Sequence, residues 1–176
     1  MKAWSEKSGM RLICKIVSGI TGQATSPRKL AAGGWYTNSL VLSGVPCLWR
    51  SKACWKEEKF WKVLSCALNE CGCVGFPVVF HEGHGGWRRL KSPASRFVAF
   101  ESAGEAVLFL RKYAYYRKSD WQCGRANDNY AICDQENNFI LFLTHHGEML
   151  VFCGDLQVLA RIHKCFRRSA LRTRIE

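Results

Sequence analysis

The order of elements read from the chain predicts an α+β protein, a small antiparallel sheet formed by a C-terminal three-strand meander and packed with about three helices. Three observations carry this. Phe60, Leu64, Ala67, Leu68 and Cys71 recur at helical spacing. Ser102-Ala103-Gly104-Glu105 has the pattern of a capping box, in which Ser and Glu each satisfy an orphan amide at a helix start. Between residues 130 and 153, three short apolar segments are separated by turn formers at hairpin length.

In chain order, the first convincing element is a helix over 51–71, with an apolar stripe opposite Lys56, Glu57, Lys59 and Lys62. Gly72 stops it by adopting the left-handed conformation that closes helices. Residues 74–80 read as a strand, which Pro77 pushes toward an edge or a bulge because it removes a ladder donor. A Gly/His/Arg loop (81–95) leads to a short strand at 97–100, and the capped helix then runs to about Arg117 with Val107, Leu110 and Ala114 inward. After a turn-rich stretch come strands at 130–133, 139–144 and 149–153. The second alternates Phe139, Leu141 and Leu143 with Ile140 and Phe142, so neither side is polar; it is covered on both faces, or one side is an interface. Asp155 caps a last helix with Leu159, Ile162 and Phe166 inward and its bases outward.

The net charge of +12 sits at the two ends. Residues 1–52 hold eight Lys and Arg against one acid, residues 161–176 hold six against one, and the stretch between is neutral. Net charge bears on solubility and non-specific association rather than on fold. The first forty or so residues contain Gly33-Gly34 and Ser26-Pro27 breaks without evident periodicity. The expected organisation is a poorly structured basic extension over 1–50, a single α+β domain over 51–166, and a basic tail over 167–176.

A chain of 176 residues buries on the order of 70% of its extended-chain surface, enough for one core, and 48% hydrophobic content is that of a globular protein. No run approaches the roughly 18–20 apolar residues that span a bilayer. The patch at 12–17 is interrupted by Lys15, which weakens a signal-peptide reading, and the scarcity of early arginines weakens an organellar one. The expectation is a soluble cytoplasmic protein without a membrane partner. Most of the ten cysteines fall in apolar, regular segments, which reads as reduced packing residues, with a disulfide framework as the alternative.

Chemical candidates are few. Cys71, Cys73, His81 and His84, with Cys66 nearby, are N/S ligand types suited to zinc, although Cys66 belongs to a helix face and the spacings depart from the usual paired pattern. His84-Gly85-Gly86 resembles the oxyanion loop of esterases but has no Gly-x-Ser-x-Gly nucleophile elbow to serve. Cys153 with His145 or His146 would be a thiol and base across one hairpin, without an identifiable third group. Asp128, Asp134, Glu136 and Glu148 make acidic turns with no pair spacing that defines a metal or glycosidase site, and neither phosphate-binding glycine motif occurs. No catalytic residue and no cofactor are assigned.

Two binding readings remain. Trp87, Arg88, Arg89 and Lys91 in the loop, with Arg167, Arg168 and Arg172 in the tail, have the chemistry of nucleic-acid contacts: cations for phosphates and an aromatic for stacking. Trp35, Tyr36, Trp49, Trp55, Trp61, Trp87, Tyr115, Tyr116 and Trp121 are more aromatics than a core of this size readily hides, and aromatics with Arg anchor protein interfaces. The element order over 97–166, with a hairpin feeding a last helix, resembles the small inhibitor or immunity-type proteins of bacterial toxin systems, a general likeness without a diagnostic motif. It implies protein binding. The leading expectation is therefore a non-enzymatic protein-interaction module; the alternatives are a basic nucleic-acid-binding accessory protein and a cysteine-dependent enzyme or zinc protein.

Overall fold

The computed structural model describes residues 1–26, 42, 44–50, 58–72, 77–82, 97–116, 129–143 and 148–176, without the side chains of 80–82, 113–116 and 129. The strands are β1 (Lys2–Trp4), β2 (Leu48–Arg50), β3 (Val78–Glu82), β4 (Phe97–Ala99), β5 (Asn129–Asp134), β6 (Phe139–Leu143), β7 (Met149–Cys153) and β8 (Arg174–Ile175). The helices are α1 (Glu6–Thr21), α2 (Glu58–Cys71), α3 (Ala103–Tyr116) and α4 (Leu156–Arg168). All eight strands join one sheet in the order β1-β4-β3-β5-β6-β7-β2-β8, and every pairing is antiparallel. The α+β class holds. The expected three-strand meander is β5-β6-β7, and it forms the middle of a much wider sheet with four helices among the described residues.

Period-two alternation divides the core into two layers. On one face Val79, Val98, Ile132, Leu141, Leu143 and Val151 pack under α2, α3 and α4; on the other Val78, Phe97, Ala131, Cys133, Ile140 and Phe152 pack under α1. All of β6 is buried, so its unbroken apolar run reflects cover from both sides.

The N-terminal region departs from the expected basic extension. Leu12, Ile13, Ile16 and Val17 share one buried face of α1, while Lys7, Arg11 and Lys15 recur every fourth residue on the exposed one. Lys15 breaks the apolar run in the linear sequence but not on the helix surface, which is why a linear reading missed the element. Ser5 caps the start, its hydroxyl accepting from the Ser8 amide at 3.1 Å. Gly22, at φ 68°, closes the end by donating to Ser18 at 2.9 Å. Gly9 lies so close to the Phe97 ring that a Cβ would overlap it. Residues 27–41 and 43 fall outside the described set.

The C-terminal tail is likewise folded. Ala170 adopts φ 57° and lets Leu171 donate back to Phe166 at 3.0 Å, a Schellman closure of α4 that buries Leu171. The chain then returns as β8 beside β2, with Cys47 and Glu176 exchanging backbone hydrogen bonds of 3.0 and 2.9 Å. Strands β1, β2 and β8 are two or three residues long and, unlike β4, whose Phe97-Val98-Ala99-Phe100 run is apolar throughout, mix apolar with charged residues, so nothing in them marks a strand.

Several local expectations are met. Ser102 accepts from the Glu105 amide at 3.2 Å, although the Glu105 carboxylate reaches the Glu101 amide (3.3 Å) rather than that of Ser102. Gly72 closes α2 at φ 56°, and Asp155 accepts from the Gln157 amide at 2.8 Å. Asp134 is different from a solvated acidic turn. It is 2% exposed and anchors the β5-β6 turn, accepting from the Glu136 amide at 3.0 Å and from Asn137 Nδ2 at 2.7 Å.

Candidate functional site

The three described helices on one face present two features. Between α2 and α3 runs an open groove of about 390 Å³, with Trp61, Ser65 and Cys66 on one wall and Gly104, Val107 and Leu108 on the other. Trp61 and Val107 are core residues that form its apolar floor, whereas Leu108 is 63% exposed. The helical period explains the difference: Val107 and Leu110 point inward, which turns Leu108 out. Gly104 leaves the groove open at one end, since a Cβ there would come no nearer than 3.8 Å to the Ser65 hydroxyl. Along the rim Glu58 pairs with Lys62 at 3.6 Å and with Arg111 at 3.3 Å, two cations sharing one carboxylate.

The second feature is the seam between α2 and α4, where thiols converge on a carboxylate. Cys66 Sγ donates to Glu70 Oε1 at 3.0 Å and Cys165 Sγ donates to Oε2 at 3.3 Å. Those two hydrogen bonds, the Cys66 one first, hold the Glu70 carboxyl below the ordinary range. Burial, reinforced by Glu70, pushes the Cys165 thiol up to about 11, and the bond to Glu70 raises Cys66. Cys71 is raised chiefly by burial. These are protonated thiols that donate, not thiolates that attack. The seam fastens α4 to α2.

The zinc quartet is not assembled among the described residues. Cys71 is the last residue of α2 and His81 lies in β3 without a described side chain, while Cys73 and His84 lie outside the described residues. Among the described residues no group of three or more His, Cys, Asp or Glu is placed to hold a metal ion. Cys153 is buried, donates to the Asn137 carbonyl at 3.5 Å and is raised by burial, so it behaves as a core thiol; His145 and His146 are outside the described residues.

The expected nucleic-acid contacts divide similarly. Trp87, Arg88, Arg89 and Lys91 are outside the described residues. Arg167 and Arg168 stand exposed in the last turn of α4, and Arg172 is exposed just beyond it. Arg161 and Lys164 share the exposed side of the helix. Arg50, by contrast, is buried and structural, donating from Nη1 to the Arg172 carbonyl at 2.9 Å. Arg174 lies 4.0 Å over the Trp49 ring. Trp35, Tyr36, Trp55 and Trp121 are not described.

Sequence reasoning missed the groove. Its one legible sign is Leu108, an apolar residue out of phase with the inward positions of its own helix. Glu70 stood out only by its i,i+4 spacing from Cys66, because its other partner, Cys165, comes from a helix remote in sequence. Comparison with protein-family models, curated proteins and solved structures gives no match. No helix among the described residues is long and apolar enough to cross a membrane.

Proposed function

We propose that this protein is a non-enzymatic protein-interaction module that seats an acidic, amphipathic segment of a partner in the groove between α2 and α3. Leu108 carries the reading: a leucine 63% exposed beside an apolar floor. Covering such a side chain is worth roughly 1.5–3 kcal/mol when burial is complete. The acidic character follows from the rim, where Lys62 and Arg111 share the single carboxylate of Glu58. A partner carboxylate there completes the charge balance and sets register more than raw affinity. An inhibitor or immunity-type role is the form expected from the element order over 97–166. A reducing, cytoplasmic location goes with this reading, supported by the seven described cysteines being free thiols.

The test is a displayed peptide library selected on the full chain, with recovered peptides titrated against wild type and Leu108→Asp. Acidic amphipathic sequences that lose at least about tenfold in affinity on the variant, a difference of roughly 1.4 kcal/mol, support the groove as the docking site. Peptides that bind both proteins alike overturn it. The thermal melt of the variant should match wild type, because position 108 contributes little to the core.

A further inference from the structure

Beyond the groove, and independently of it, the exposed side of α4 is an interaction surface. We infer that it binds the phosphate backbone of a nucleic-acid duplex. Arg161, Lys164, Arg167 and Arg168 are all exposed on this helix, and Arg172 follows its closure. No acidic residue occurs between Asp155 and Glu176, and Glu70 of α2, at the seam with Cys165, interacts with Arg168 of the four helical cations. At 3.6 residues per turn the four helical cations fan over an arc of about 120°. Arg161 to Lys164 rises about 4.5 Å and Lys164 to Arg168 about 6 Å, a ladder on the scale of successive phosphates. Arginine's planar fork suits phosphate oxygens, and three of the four helical cations are arginines.

Favourable opposition to the helix dipole accounts for cations in the last turn. It explains Arg167 and Arg168 but does not reach Arg161 and Lys164, which sit further back along the helix. The surface is also preorganised. The opposite side of α4 is locked into the core by Val158, Leu159, Ile162 and Phe166, and the Schellman closure and β8 pin its far end, so the cations project from a fixed scaffold rather than a loose tail.

The molecule supplies its own control. On the other face of the sheet α1 exposes Lys7, Arg11 and Lys15, so removing three cations from either helix changes net charge equally. The experiment is fluorescence anisotropy of a short labelled DNA duplex with the full chain, across about 50–200 mM salt. It compares wild type, the Arg161→Gln/Lys164→Gln/Arg168→Gln variant and the Lys7→Gln/Arg11→Gln/Lys15→Gln variant. Glutamine keeps helix propensity close to that of Lys and Arg. Wild type should bind with steep salt dependence, the α4 variant should flatten the log–log slope by about three, and the α1 variant should leave it nearly unchanged. Equal weakening by both variants, an unaltered slope in the α4 variant, or no binding by wild type at low salt overturns the inference. Equal affinity for a single strand of the same length overturns the duplex as its target. If the α4 triple variant melts below assay temperature, Arg161→Gln and Lys164→Gln alone carry the test, each expected to lower the slope by about one.

Discussion

The two faces of the sheet are built on different plans. Among the described residues one is covered by one helix, α1, whose Ile13, Ile16 and Val17 are fully buried and whose Gly9 backbone lies directly against the Phe97 ring. The other carries three helices, tied to one another by a thiol–carboxylate seam at α2-α4 and parted by a groove at α2-α3. Three helices must pack on each other as well as on the sheet, and where that packing is incomplete a concave surface remains. Both faces bury a core, and it is the three-helix face that also leaves a concave surface open between two of its helices.

The largest test of this contrast is truncation of one apolar side chain on each face. Ile13→Ala removes a wholly buried side chain and should lower unfolding stability by about 2–5 kcal/mol, since the closed face cannot easily collapse around the void. Leu108→Ala should stay within about 0.5 kcal/mol, as exposed substitutions do. Urea unfolding followed by circular dichroism measures both. Comparable losses would mean that the groove is part of the core, and the distinction between the faces would fail.

A second test uses one substitution at two helical glycines. Gly9→Ala places a Cβ into the Phe97 ring and should cost about 1–3 kcal/mol through overpacking. At Gly104 the nearest atom to an added Cβ is 3.8 Å away, so Gly104→Ala should gain up to about 1 kcal/mol from helix propensity. The signs are opposite although the chemistry is identical. Thermal melts that shift in the same direction would contradict the packing assigned to one face or the other.

How much of this was legible in the sequence follows from the range of the interactions involved. The stripe Phe60 to Cys71, the Ser102–Glu105 box and the alternation of β6 are local patterns, and each became the expected element. Helix α1 was equally local but concealed by Lys15, which interrupts the linear run while standing on the helix's far side. Strands β1, β2 and β8 exist only through partners distant in the chain, Lys2 opposite Ala99 and Leu48 opposite Ile175, so nothing within them announces pairing. The site obeys the same division. The basic run from Arg161 was legible in full, because Leu159, Ile162 and Phe166 mark the inward side of the last helix and leave its bases on the other, as the structure places them. The groove needed two helices side by side.

The smallest effect distinguishes how the two faces finish their outer helices. Helix α1 ends on Gly22 at φ 68° and α4 on Ala170 at φ 57°, the same left-handed turn made once by glycine and once by a residue whose Cβ crowds the following carbonyl. Replacing Ala170 by glycine should therefore stabilise the protein by about 0.5–1 kcal/mol, with Gly22→Ala costing about as much. The measurement is a difference in melting temperature, read for both variants against wild type. A loss on Ala170→Gly would mean that the methyl makes contacts worth more than the strain it causes, and that α4 ends in a packed corner rather than a plain Schellman turn. The outcome also bears on the basic surface, because the hydrogen bond from Leu171 to Phe166 that this turn permits holds Arg167 and Arg168 at the end of a rigid helix. Relieving the turn should tighten that end without moving a charge, so the salt slope for duplex binding should match wild type while the protein melts higher.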